Sequence, residues 1–163
     1  MKRIIYILLI SIFCSSCATI YSPSISISDL PDINPQKTVF IENPELKFEY
    51  KVLKYSGLYQ FSPDPYSNLH VRLLPIQRGA RPGELDILLT FLTFGIIPSY
   101  SMTGIYYKYL IIEGDKATEM EYFLSGTYQT SLWSNFKENY VEDEKTYGLM
   151  LRAQAIEQTI QNK

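Results

Sequence analysis

Cysteine and histidine are the side chains best fitted to covalent, proton-transfer or metal chemistry. This chain of 163 residues holds two cysteines, Cys14 and Cys17, and one histidine, His70. One histidine cannot build a histidine-rich metal site, and two cysteines are too few for a cysteine zinc site or a disulfide framework. His70 sits in the alternating run Leu69-His70-Val71-Arg72-Leu73, so as a strand residue it faces away from its apolar neighbours. No G-x-S-x-G or other nucleophile motif accompanies it, and it reads as an exposed strand histidine. Glu142, Asp143 and Glu144 are adjacent acids without the loop spacing of a calcium site; they suit the positive end of a helix instead. Arg72, Arg78 and Arg81 could meet anionic headgroups or sugars, or be solvated loop charge. The sequence therefore implies no metal, no cofactor and no catalytic residue, and the expectation is that the protein is not an enzyme. A net charge of -2 gives no basic footprint, so no nucleic-acid partner is expected.

The cysteines carry the most specific signal. Lys2 and Arg3 precede an apolar run from Ile4 to Phe13. As helix, ten residues span about 15 Å, against a bilayer core of about 30 Å. That is the proportion of a secretory leader. Ser15-Ser16-Cys17-Ala18 comes next. This segment resembles the lipobox of bacterial lipoproteins, in which a cysteine after small residues is acylated and becomes the mature N-terminus. Cys14 fits worse, because Phe13 stands where a small residue is wanted, and Cys14 itself occupies a place where leucine is usual. The resemblance implies a diacylglyceryl thioether on Cys17 and usually an N-acyl chain. The resemblance further implies that, in an organism with two membranes, Ala18 in place of the aspartate that retains such proteins at the inner membrane sends the protein to the outer membrane, facing the periplasm. Several acyl chains anchor firmly where one holds only marginally. Processing would remove Cys14 and leave no internal disulfide.

The expected division is a leader over 1–16, an acylated N-terminus and tether over 17–37, and a single α+β domain over 38–163. Pro23, Pro31 and Pro35 with several serines suggest extended chain in the tether. Thr38 to Glu42 reads as a strand. Asn43-Pro44-Glu45 looks like a helix start and Ser56-Gly57 a helix stop, so a helix is expected over Pro44–Tyr55 although Leu46, Phe48, Tyr50 and Val52 alternate like a strand. Leu58–Ser62 and Leu69–Leu73 read as strands, and Gln77–Glu84 as an exposed loop. Thr103–Glu113 and Ala117–Gln129 form the clearest hairpin, turning at Gly114-Asp115. A final helix carries Leu149, Ala153, Ile156 and Ile160 at helical spacing. The expected fold is α+β: a mixed, mostly antiparallel sheet of about five strands, with helices on one face. The runs Ser56–Ser62 and Leu69–Leu73, and Thr90–Pro98 with its Leu-Gly-Pro character, are similar to segments of small, uncharacterised envelope lipoproteins.

From Ile87 to Tyr107 the chain has no charge. Gly95, Pro98, Ser99, Ser101 and Gly104 argue against a transmembrane helix there. Leu85–Pro98 is either core or an exposed patch for a partner or the membrane surface. Phe91, Phe94 and Tyr107 are the candidate contact residues. The expected function is a membrane-anchored accessory or interaction module of the bacterial cell envelope, docking an envelope protein. The alternative is a lipoprotein that binds lipid or glycan on a tyrosine-lined surface.

Overall fold

The structure is a computed structural model that describes residues 18–27, 30–31, 35, 37–79, 92–93, 96–131 and 140–161. It has two compact units. The larger comprises 23–79, 104–125 and 141–163; the smaller comprises 1–22, 80–103 and 126–140. Among the described residues there are seven strands and two helices: β1 (Ala18–Pro23), β2 (Thr38–Ile41), α1 (Lys47–Ser56), β3 (Gln60–Ser62), β4 (Leu69–Leu73), β5 (Gln77–Arg78), β6 (Ser99–Glu113), β7 (Lys116–Ser131) and α2 (Glu144–Gln161). The α+β class is as expected, with more strands. No described helix is long and apolar enough to cross a membrane.

In the larger unit the strand order is β7-β6-β4-β2-β3, and β5 pairs with β6. β2 runs parallel to both β3 and β4, and β4 is antiparallel to β6. The parallel pair β2–β3 needs a crossover, which α1 supplies. One parity of each strand points inward: Val39 and Ile41, then Leu69, Val71 and Leu73, then Ile105, Tyr107 and Tyr109. These side chains share the core with Val52 and Leu53 of α1 and with Tyr147, Met150 and Leu151 of α2.

The alternation over 45–52 gives way to helix, and Glu49, Val52, Leu53 and Ser56 are its buried residues. Its start differs from the expectation. The helix begins at Lys47, and the N-cap Leu46 offers no side-chain bond. Asn43 is committed elsewhere. Its amide donates from Nδ2 to the Leu73 carbonyl and accepts at Oδ1 from the Leu73 N–H, both at 2.8 Å. One side chain thus closes a two-bond ring with one strand residue, which a single capping bond cannot match. The stop is as read: Gly57 is left-handed at φ 66°, and its N–H donates to the Lys54 carbonyl. Arg152 Nε donates to the Ser56 carbonyl at 2.6 Å, satisfying another acceptor at that helix end.

The apolar stripe expected on the last helix is only partly inward. Ala153 is buried, but Ile160 is 69% exposed, and Tyr147, Met150 and Leu151 form the buried face. Gly148 explains the rotation. A Cβ there would lie 2.6 Å from Tyr55 Cβ and 2.8 Å from the Val52 carbonyl oxygen. Only glycine lets the two helices approach so closely, so this side of α2 turns toward α1. Asp143 caps the helix, accepting from Thr146 N–H at 2.8 Å.

In the smaller unit, the segment expected to start a free tether is strand β1, next to β7. Ile20 and Tyr21 are buried. Tyr21 lies against Gly126, where a Cβ would come 2.4 Å from its ring, and its ring centroid is 5.1 Å from that of Tyr128. The Tyr21 carbonyl accepts from Tyr140 N–H. Thr19 and Thr130 hydroxyls bond at 2.8 Å. The propensity signals of serine and proline lose here to packing of two large apolar side chains.

Two substitutions test the larger unit. Met150→Asp should abolish the cooperative melt, because it buries an unpaired charge, whereas Ile160→Asp should change stability by no more than about 0.5 kcal/mol. Asn43→Ala should cost about 1–3 kcal/mol in denaturant unfolding, since both polar groups of buried Leu73 lose their partner.

Candidate functional site

The only histidine lies in a cleft of the larger unit. Glu42, Ser67, Asn68, His70, Ile112 and Gly114 line a volume of about 390 Å³. The parallel register of β2 and β4 places Phe40 beside His70 and brings Glu42, just past β2, to the same region. The floor is shaped by the β3–β4 connection. There Asp64 Oδ1 accepts from Tyr66 N–H at 2.9 Å, a local turn that leaves the Ser67 carbonyl facing the ring.

His70 Nε2 faces that carbonyl at 2.8 Å, and because a carbonyl only accepts, the ring is the donor in this hydrogen bond. Nδ1 faces Glu42 Oε1 at 3.3 Å, and Glu42 Oε2 accepts from Arg72 Nε at 2.7 Å. Acid–base catalysis through a carboxylate-oriented imidazole needs the far nitrogen to face a nucleophile or substrate. Here the far nitrogen is bonded to backbone. The arrangement therefore holds a turn, joining β2, β4 and the connection between β3 and β4. Arg72 is pinned outward by Glu42, Arg78 is exposed, and Arg81 lies outside the described residues.

The three acids at the start of α2 have separate partners. Glu142 accepts from the Tyr147 hydroxyl, Asp143 caps the helix, and Glu144 pairs with Lys51 of α1 at 3.1 Å. A hydrogen bond to its own backbone, then one from Lys51, holds the Glu144 carboxyl below its ordinary value. Among the described residues no cluster of three or more acids, histidines or cysteines is placed to hold a metal.

The candidate contact residues separate. Cys17, Phe91 and Phe94 lie outside the described residues. Tyr107 is fully buried, and its hydroxyl donates to the Glu49 carbonyl at 2.7 Å. It anchors β6 to α1 and cannot meet a partner on the folded domain. Tyr109 and Tyr122 are buried as well; their rings stack at 6.2 Å, and Tyr59 shares a hydroxyl hydrogen bond with Tyr109 at 3.3 Å. These tyrosines build core, so they do not form a tyrosine-lined surface. Glu49 is a buried carboxylate that the sequence did not single out, and its Oε1 accepts from Ile76 N–H at 3.1 Å. Tyr106 and Phe123 are exposed and pair across the hairpin, with ring centroids 4.7 Å apart.

Burial pushes the hydroxyls of Tyr59, Tyr107, Tyr109 and Tyr122 above their ordinary value. The neutral form is favoured in the fold, so its contribution to stability is complete below about pH 10, where unfolded tyrosine ionises. It is lost as pH rises beyond that value. An alkaline titration tracked by phenolate absorbance and circular dichroism should show a group of tyrosines ionising only as the fold is lost. Ionisation of all tyrosines near pH 10 with the fold intact would contradict the buried cluster.

No protein-family model matches the chain, and no curated protein matches it. Among solved structures it is similar to a minor lipoprotein from Acinetobacter baumannii, with 19% identity over 76% of this chain and 91% of that one, at a TM-score of 0.38. The overlap is too loose to carry a function from that protein to this one.

Proposed function

We propose that this chain is a bacterial lipoprotein, anchored through lipid on Cys17, that acts as a non-catalytic accessory or interaction module of the cell envelope. The observation that carries the reading is the junction at Cys17. A leader-like segment ends in Ser15-Ser16-Cys17, and a strand of the fold begins at the next residue, Ala18. A cleavage before Cys17 would remove none of the described residues and place the lipid directly before the first strand. In this reading the protein faces the periplasm from the outer membrane and docks an envelope protein. Confinement at a membrane raises the effective concentration toward neighbours, so weak contacts suffice. The engagement of both His70 ring nitrogens by Ser67 and Glu42 favours a structural role for the best-placed acid–base group.

Intact-mass spectrometry of the mature protein should give an N-terminal Cys17 carrying acyl chains, and Cys17→Ala should leave an unprocessed precursor or release soluble protein. An unmodified Cys17, or an N-terminus elsewhere, overturns the reading. Crosslinking in cells should capture an envelope protein, and His70→Ala, which loosens the turn after β3 at a cost of about 1 kcal/mol, should leave the fold in place and that capture unchanged. Loss of cellular function in the His70 variant, with folding and capture normal, would point to chemistry instead.

A further inference from the structure

The described residues of the smaller unit differ in kind from an ordinary protein surface. None of its described residues, 18–22, 92–93, 96–103, 126–131 and 140, is charged, although 20% of the chain is. It also exposes large apolar side chains: Leu92 at 63%, Ile96 at 63%, Ile97 at 48%, Tyr100 at 48% and Met102 at 58%. These are close in the chain. Thr93 ties a turn, accepting from Ile96 N–H on its carbonyl and from Ile97 N–H on its hydroxyl. β6 begins two residues later, and Tyr100 and Met102, two apart in a strand, share one of its faces.

The start of β1 belongs to the same place. The Thr19–Thr130 hydroxyl bond sets it beside the end of β7. β6 and β7 are the arms of one hairpin, of 15 and 16 residues, so the end of β7 lies next to the start of β6. Ala18 and the Tyr100 region therefore occupy one end of this unit. Cys17 is one residue, about 3.8 Å, before Ala18.

We propose that this end of the smaller unit rests on the phospholipid surface, with Leu92, Ile96, Ile97, Tyr100 and Met102 at interfacial depth. The proposal rests on the reading that Cys17 carries lipid, and it adds what the lipid does to the fold. A spacer of about twenty flexible residues would let a domain wander some 25 Å from its anchor. A strand that starts one residue after the anchor has no such reach. The unit is pinned against headgroups, where charge-free tyrosine, isoleucine and hydroxyl residues are well suited and a dense charged shell is unnecessary.

The test uses the acylated protein in vesicles of phosphatidylethanolamine and phosphatidylglycerol. In the processed chain the Cys17 thiol is consumed by the thioether, so Ile97→Cys and Met102→Cys each give one labelling site for an environment-sensitive fluorophore. Lipids with brominated acyl chains should quench both labels about twofold or more relative to plain lipids. Equal fluorescence in the two vesicle types, with iodide in the water reaching both labels, overturns the proposal while leaving the anchor standing. Labels shielded from both bromine and iodide would mean that protein covers this surface, and that too overturns it. If the mass of the same sample shows an unmodified Cys17, the lipoprotein reading itself fails.

Discussion

The packing of Tyr21 over Gly126 makes the stretch just after Cys17 part of the fold. A tyrosine side chain is large, and it fits here only because residue 126 has no Cβ to meet its ring. With Tyr21 and Ile20 buried and the Tyr21 carbonyl bonded to Tyr140, this stretch cannot serve as loose chain. Burying two such side chains contributes several kcal/mol, more than the extended-chain preference of the nearby serines and prolines opposes. The chain past β1 stays on the same strand partner. Ser24 N–H donates to the Ser125 carbonyl at 2.8 Å, and the two serine hydroxyls bond at 2.9 Å. The first residues of the segment expected to be a spacer, Ala18–Pro23, are instead a strand beside β7.

The larger unit holds together by the same device of small residues and committed polar groups. Gly148 lets α2 approach α1 closely, and Arg152 and Lys51 then join the helices at the Ser56 carbonyl and at Glu144. Tyr107 reaches from β6 to the backbone of α1. Asn43 ties the chain after β2 to Leu73 in β4. The buried side-chain polar atoms described all have hydrogen-bond partners. Such a core tolerates few polar changes, because a group left without its partner costs more than the bond it made. In the cleft, His70 and Glu42 conform to this pattern: they secure the turn after β3 to the strands beside it.

Much of the fold was legible where the pattern is local. Period-two alternation marks β4 and β7, richness in Ile and Tyr marks β6, and the Gly114-Asp115 turn marks the hairpin of β6 and β7. Gly57 marks the end of α1. The departures have one physical cause, a long-range contact that overrides a local signal. Asn43 has the local look of a cap but bonds a strand thirty residues away. The stripe through Ile160 has inward spacing, but Gly148 rotates the helix. The segment read as a tether has an extended composition, but β7 pairs with its first residues, Ala18–Pro23. Tyr107 reads as a contact residue because strand parity alone does not say which face is inside. Cys17 stands on sequence pattern alone, and the apolar character of the residues near Ala18 is visible only once the described residues of the smaller unit are seen to lack charge.

Amide hydrogen exchange over residues 19–22 tests most directly whether the stretch after Cys17 belongs to the fold. Protection of those amides comparable to that of residues 126–131 in β7 is the result expected from the Tyr21–Gly126 packing. Exchange at the rate of unstructured chain, with β7 still protected, would mean that the segment after Cys17 is a free tether after all.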